Sequence, residues 1–350
     1  MNSPLLRDFG ERRLIEEVLR PRYQNSEGPF GDDCASLTVP LGHRLIVTTD
    51  PCPPPMAAIL GYDDLYYRGW LLATINLSDL AAAGATPLGI VTSLVLPPDL
   101  SVESFTRLLD GIDACCAANG TCVIGGNLKE GTQIDVQATA FGAVPELPLS
   151  RFGGRPGDLL AAVGPAGTFW AGTLSQIEQT LVGEALDRLL EPVLIPRPQL
   201  AFGQALLASG IPAAVMDNSD GLGPTVTTLA QTNDVGLTID LTDIVLSDDI
   251  QVAASQLGVD GARFLFGWGD WNVVVSVAPG RFDEVCALAA ELNVPVTRLG
   301  ELTVDRSYRL RRGDREVTLE APDSQRFAPD SWFTAGIEEY IRQLRTFPMP

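Results

Sequence analysis

Four short segments of this 350-residue chain each set a carboxylate beside a turn or at the end of an apolar run: Gly31-Asp32-Asp33-Cys34, Thr48-Thr49-Asp50, Asn76-Leu77-Ser78-Asp79 and Asp217-Asn218-Ser219-Asp220-Gly221. Carboxylates and hydroxyls are hard oxygen donors, the kind Mg²⁺ takes in an octahedron completed by water and substrate phosphate oxygens. Gathered from the ends of several elements, they could hold metal ions that neutralise a nucleotide polyphosphate. Taken singly, Gly-Asp-Asp and Asp-Gly are also ordinary turn pairs. Asp79 is harder to read that way. It lies among Leu77, Leu80, Ala81 and Ala82 in a helical pattern, and a carboxylate near a core calls for a cation or a set of strong donors.

Other residues narrow the chemistry. Ile124-Gly125-Gly126-Asn127 follows an apolar run, and glycines there let backbone N–H groups approach a phosphate. The spacing is neither that of a P-loop nor that of a dinucleotide fingerprint, and by itself the segment reads as a tight turn. His43, the sole histidine, lies in Pro-Leu-Gly-His-Arg-Leu and reads as a surface turn residue, which excludes imidazole zinc sites and Ser-His-Asp triads. Trp268 and Trp271, with Gly267 and Gly269, form either an aromatic wall for a planar substrate or packing at a strand edge. Arg263 reads as a surface salt-bridge residue, with contact to an anionic substrate group as the alternative.

The elements that must position these residues follow from hydrophobic period and punctuation. The first 20 residues pattern as a helix with Leu14, Ile15, Val18 and Leu19 on one face. Residues 44–49 form a strand running into Asp50, and Pro51, Pro53, Pro54 and Pro55 make a stiff loop. Residues 63–83 are a helix carrying Asn76 and Asp79, and 88–96 a strand. Ser101 caps a long helix through Cys115, and 134–144 alternate as a half-buried strand. Pro145-Glu-Leu-Pro148 marks a domain boundary, which divides the chain into 1–148 and 149–345. Beyond it, strands are expected at 158–164, 213–216, 237–241, 271–277, 296–304 and 307–313. Helices are expected at 200–210, 226–233 and 282–292. Strands and helices mingle without strict alternation, so the fold class is α/β with mixed sheets in two domains.

Composition sets outer limits. Twenty-four basic against 44 acidic residues leave a formal net charge of −20, which disfavours nucleic acid and anionic membranes as partners. Hydrophobic residues at 45% supply a core for about two domains. No apolar run reaches the ~20 residues of a membrane span, and the charged N-terminus does not read as a secretion signal. The six cysteines show no C-x-x-C spacing and sit in apolar company, as reduced cysteines do. A cytoplasmic protein is expected.

Taken together and in this order, the segments resemble the thiamine-monophosphate kinases of the superfamily that includes aminoimidazole-ribotide (AIR) synthase (PurM), selenophosphate synthetase and a hydrogenase-maturation protein. The resemblance runs over about residues 10–305 and rests on Gly31-Asp32-Asp33-Cys34-Ala35, Thr48-Thr49-Asp50, Asn76 through Ala85, Ile124-Gly125-Gly126, Ser150-Arg151 ahead of Gly157-Asp158, and Ser219-Asp220-Gly221-Leu222. It implies a PurM-like fold whose N-terminal domain joins its twin in a homodimer barrel, with ATP and several Mg²⁺ ions in a cleft. It places Asp33, Thr48, Thr49, Asp50, Asp79, Asp217 and Asp220 at metal positions. Gly125, Gly126, Asn127, Arg151 and Ser219 fall at nucleotide positions, with Asp50, Asn127 and Asp220 nearest the chemistry. The reaction it implies is direct in-line phosphoryl transfer from ATP to a small molecule, a phosphate or a heteroaromatic compound.

The chain departs from the family's pattern on the substrate side. Gly-Gly-Asp-Thr is replaced by Gly125-Gly126-Asn127-Leu128, which keeps an oxygen and loses a charge. Gly-Glu-Asp-Tyr-Glu-Leu is replaced by Trp268-Gly269-Asp270-Trp271-Asn272-Val273, leaving Asp270 and an aromatic, Trp271, at substrate positions. The proline cluster stands in place of Gly-x-His-Phe, and Leu71 in place of a lysine. A kinase of thiamine phosphate or a related small molecule, with altered substrate motifs, is the expectation. An ATP-dependent amide- or ring-forming synthase and a non-catalytic nucleotide-binding homologue are the alternatives.

Overall fold

The hydroxyl of Ser101 accepts the Ser104 N–H at 2.9 Å, and the Val102–Ala118 helix it caps buries Phe105, Leu108, Leu109, Ile112 and Cys115 along one stripe. This helix packs on the Leu65–Ala82 helix through two glycines. A Cβ on Gly69 would fall 1.9 Å from the Leu108 carbonyl oxygen, and one on Gly111 equally close to that of Tyr66. Any side chain at either position would hold the helices apart.

The computed structural model describes residues 3–23, 34–322 and 335–350; Asp33, one of the expected metal positions, lies outside the described residues. The chain divides into two units, Met1–Leu80 with Ala85–Pro148, and Ala81–Gly84 with Leu149–Pro350. Both are mixed α/β.

The first unit is built on strands β1 (Arg44–Pro51), β2 (Thr86–Leu96), β3 (Val123–Glu130) and β4 (Asp135–Val144) in the order β1-β4-β2-β3. Only β2 and β3 run parallel. One face of this sheet carries Ile46, Thr48 and Asp50 of β1 with Ala138, Ala140 and Gly142 of β4, and the Leu65–Ala82 helix lies against it, with Leu80 beside Gly142. On the other face Leu45 and Val47 remain 45% and 52% exposed. The register lines up one row across all four strands, Asp50–Ala138–Thr92–Gly126, and beside it the row Pro51–Gln137–Ser93–Asn127.

The second unit holds seven strands, β5 (Leu159–Val163), β6 (Ala213–Asp217), β7 (Gly236–Asp240), β8 (Val273–Val277), β9 (Val296–Thr303), β10 (Tyr308–Arg312) and β11 (Arg315–Thr318), in the order β11-β10-β7-β9-β5-β8-β6. Only β7 and β10 are parallel. Every residue of β8 is buried, as a continuous apolar run predicts for a strand covered on both faces.

Three expectations need correction. Gly125-Gly126 lies within β3 and not in a turn; a Cβ on Gly126 would meet the Thr92 carbonyl oxygen at 2.6 Å, so the glycine serves close strand packing. The N-terminal helix is broken at Gly10, whose φ is +73°. It becomes short pieces at Leu6–Phe9, Glu11–Leu14 and Arg20–Tyr23, with a π-helical stretch at Ile15–Leu19 between the last two. Finally, β8 starts at Val273 and not at residue 271, because Trp271 holds a left-handed φ of +50°.

Candidate functional site

In the first unit, β1 alternation sends Thr48 and Asp50 toward the helix and Thr49 to the opposite face. Asn76 and Asp79, three residues apart, share the helix face that meets them. The Thr48 hydroxyl donates to Asp79 Oδ2 in a short hydrogen bond. The Asp50 backbone N–H donates to Asn76 Oδ1 at 3.2 Å, and Asn76 Nδ2 in turn donates to the Leu72 carbonyl at 3.0 Å. Asn76 is fully buried. The structure therefore brings Thr48, Asp50 and Asp79 to one place, with Asn76 as the bracket. Asp79 finds one of the strong donors its surroundings demand. The Thr49 hydroxyl is taken up by the sheet, donating to the Ala138 carbonyl at 2.9 Å and accepting from Thr139 at 3.0 Å.

The other edge of the sheet holds Gly125, Gly126 and Asn127. The Asp50 row reaches Gly126 across three strand spacings, roughly 14 Å at about 4.8 Å each, and Asn127 takes the opposite face, exposed. Within one subunit's sheet, Asn127 and Asp50 do not meet.

In the second unit, β6 delivers Asp217, 7% exposed, at its C-terminal end. Ser219 is half-buried and Asp220 exposed. The turn then closes at Gly221, which has a φ of +98° and would bring a Cβ to 2.7 Å from the Phe266 carbonyl oxygen; only glycine fits. The Leu222–Thr232 helix starts there. Arg151, exposed, follows Ser150, which bridges to Ala214 of β6. Asn233 fixes this stretch, its Nδ2 donating to the Arg151 carbonyl at 2.7 Å and its Oδ1 accepting the N–H groups of Gly153 and Gly154 at 2.7 and 3.0 Å. Arg151, Asp217, Ser219 and Asp220 thus flank one edge strand.

Asp270 and Trp271 occupy the loop before β8. Asp270, 3% exposed, accepts the Gly167 and Phe169 N–H groups at 2.5 and 3.0 Å, one on each carboxylate oxygen, and so caps the Thr168–Glu178 helix. Burial pushes it from the ordinary aspartate value near 3.8 up to about 7, against the pull of those N–H donors. Trp271 is 8% exposed. Trp268 packs among Phe169, Trp170 and Tyr340 with ring centroids 5.2, 5.5 and 6.1 Å away, and its backbone N–H donates to the Tyr340 hydroxyl at 3.2 Å. Of the two readings of Trp268, this is packing. Arg263 is not a surface ion-pair residue: its guanidinium donates to the carbonyls of Leu344 and Phe347, and burial lowers its pKa.

Among the described residues, no three acidic, cysteine or histidine side chains stand close enough to hold a metal by themselves. The donor set is nonetheless all hard oxygen, and Mg²⁺ commonly takes one or two carboxylates and fills its shell with water and phosphate. The residues fit such an ion. Sequence reasoning did not assign Asn76, Asn218, Asn233 or Asn272 to the site; the signal for Asn76 was an amide inside an apolar helical run.

Residues 31–144 match the family model described as AIR synthase related protein, N-terminal domain, and residues 155–313 match AIR synthase related protein, C-terminal domain. The thiamine-monophosphate kinase of Synechococcus elongatus is 30% identical over 338 residues, 91% of this chain and 96% of that one. The chain belongs to the thiamine-monophosphate kinase family. A second relative of that name, from Methanospirillum hungatei, is 28% identical and covers 83% of this chain and 92% of its own length. The crystal structure of thiamine-monophosphate kinase from Stenotrophomonas maltophilia shares the fold at a TM-score of 0.72 and 24% identity, over 85% of this chain and 95% of that one. So does AaThiL complexed with AMPPCP and TMP, at 0.68 and 23%, over 90% and 98%. HypE, a hydrogenase maturation protein in complex with ATP, has it at 0.72 and 18%, over 91% and 98%. The two-domain PurM-like fold is thereby established for this thiamine-monophosphate kinase family member.

Proposed function

We propose that this family member is an ATP- and Mg²⁺-dependent kinase of a small phosphate or heteroaromatic molecule, acting by in-line phosphoryl transfer. The observation that carries the reading is the convergence of Thr48, Asp50 and Asp79 through Asn76, in a family whose relatives are named thiamine-monophosphate kinases. Magnesium, when bound, supplies charge neutralisation at the polyphosphate. Asp33, Thr48, Thr49, Asp50, Asp79, Asp217 and Asp220 are the residues proposed to hold metal. Gly125, Gly126, Asn127, Arg151 and Ser219 orient the nucleotide. Asp50, Asn127 and Asp220 are the residues proposed for the catalytic role. Positioning does most of the work, as loose phosphoryl-transfer transition states allow.

The segments proposed to meet the acceptor differ from those of the typical family member. The Asp270 oxygens are occupied by backbone N–H groups, so Asp270 acts on the acceptor by shaping the loop that carries Trp271. The exposed apolar face of β1 seats a second copy of the chain, giving a homodimer in which Asn127 lies at the shared face. All six cysteines are free thiols, which suits a reducing cytoplasm. No helix of the described residues is long and apolar enough to cross a membrane.

A non-catalytic nucleotide-binding role is the second reading, favoured by the neutral Asn127. Product analysis by mass spectrometry, after incubation with ATP, Mg²⁺ and thiamine monophosphate, separates them. Thiamine diphosphate and ADP in equal amounts support the original family activity. Nucleotide binding without diphosphate points to a changed acceptor, to be sought among related phosphates. ADP formation with none of those acceptors leaves the non-catalytic reading.

A further inference from the structure

The loop before β8 and the acidic turn after β6 are joined by a file of polar groups shut away from solvent. Asn218, Thr225 and Asn272 are each 1% exposed. Asn272 Nδ2 donates to the Pro165 carbonyl at 2.6 Å; a carbonyl only accepts, which turns Asn272 Oδ1 toward Asn218. Asn218 Nδ2 donates to that oxygen at 3.1 Å, and its own Oδ1 accepts the Thr225 hydroxyl at 3.0 Å. The backbone repeats the link, with the Asn218 N–H donating to the Asn272 carbonyl at 2.9 Å. Both amides use both ends, so the file has one direction and one arrangement.

What the file holds is the turn itself. Asn218 is bonded to Asp217 on one side and Ser219 on the other, and Thr225 stands in the first turns of the helix that Gly221 opens. The turn carries two carboxylates three residues apart in sequence, and their like charges repel. An acid at 218 or 272 could not replace the amide. It would lack a donor for the next acceptor in the file and would bury another negative charge beside Asp217. Neutral amides fix the turn without adding to its charge.

We propose that Asn218 and Asn272 are a positioning pair that holds the Asp217–Asp220 turn in the geometry required by a Mg²⁺-bound nucleoside triphosphate. The proposal rests on the kinase reading and deepens it. The two asparagines do not touch the cation; they act through the turn, as outer-shell partners do.

The test is a calorimetric Mg²⁺ titration of the full chain with a non-hydrolysable ATP analogue. The variants are Asn272→Leu, Thr225→Val and, as a control, Thr227→Val, whose lost hydroxyl bonds only the Gly223 and Pro224 carbonyls of the same helix. The Mg²⁺ midpoint should rise about tenfold in Asn272→Leu, the low end of outer-shell losses, and by a smaller factor in Thr225→Val. Thr227→Val should keep the wild-type midpoint despite a similar loss in thermal unfolding temperature. Should Asn272→Leu fail to fold, Thr225→Val against Thr227→Val decides alone. Equal midpoints in the two threonine variants overturn the positioning role while the kinase reading stands. A wild-type chain that binds the analogue with no Mg²⁺ dependence overturns the kinase reading, and this inference with it.

Discussion

Asn76 Oδ1 accepts the backbone N–H of Asp50 at 3.2 Å, so an amide buried in a helix fixes the main chain of the residue proposed to face the nucleotide. Its own Nδ2 is spent on the Leu72 carbonyl. Helix and strand are thereby locked at one point, and the Asp50 side chain is set by a bond it does not itself make.

Replacing Asn76 by Ala leaves the Asp50 N–H without that acceptor and opens a small void. Urea unfolding should show a loss of roughly 1–3 kcal/mol, the usual cost of an unsatisfied buried group. Mg²⁺-dependent nucleotide affinity should fall together with it. An unchanged midpoint with an unchanged slope would show that Asn76 does not hold Asp50.

Asp79 allows structure and charge to be separated. Asp79→Asn keeps an oxygen for the Thr48 hydroxyl but removes the negative charge. Its stability should stay within about 0.5 kcal/mol of wild type, as for most changes that keep their contacts. Its Mg²⁺-dependent nucleotide binding should drop at least about tenfold, as should that of Asp50→Ala. Full nucleotide affinity in both variants would remove the first-unit carboxylates from the metal site.

The open face of β1 makes a separate prediction. Leu45 and Val47 point away from the helix and stay about half exposed, and an apolar sheet face of this kind is costly to leave in water. Leu45→Asp with Val47→Asp should convert the proposed homodimer to a folded monomer in sedimentation velocity, with its circular dichroism unchanged. A wild-type chain that sediments as a monomer would refute the dimer before any substitution is made.

Much of this was legible because it is local. The apolar alternation of β4 and the Ser101 cap both gave their elements directly. What escaped reading depends on distant residues. The Thr168–Glu178 helix begins at a glycine and has its N–H groups capped by Asp270, 101 to 103 positions away, so no cap stands in the neighbouring sequence. The Glu184–Leu194 helix carries Pro192 inside it, which reads as a stop. Gly125-Gly126 reads as a turn because the contact that makes it a strand, Thr92, lies on β2. In the site, acids announce themselves by type. Of the amides that orient them, Asn76 shows as a polar residue in an apolar helical run, whereas Asn218 and Asn272 are identifiable only once their partners are seen.

Asp270 gives the pH dependence. Burial raises it to about 7 in the folded chain from an ordinary value near 3.8, so between those values the folded state binds the proton more tightly than the unfolded one. Its contribution to stability is therefore fully present below about pH 4 and is lost as pH rises through about 7. Asp270→Asn carries no such proton. The stability of wild type relative to this variant should fall between pH 5 and pH 7, by roughly 1.4 kcal/mol per pH unit at most, and level off above that range. Urea unfolding of both proteins across the range measures the difference directly. A difference that is flat, or that rises with pH, would mean the Gly167 and Phe169 N–H groups outweigh burial and keep Asp270 ionised throughout.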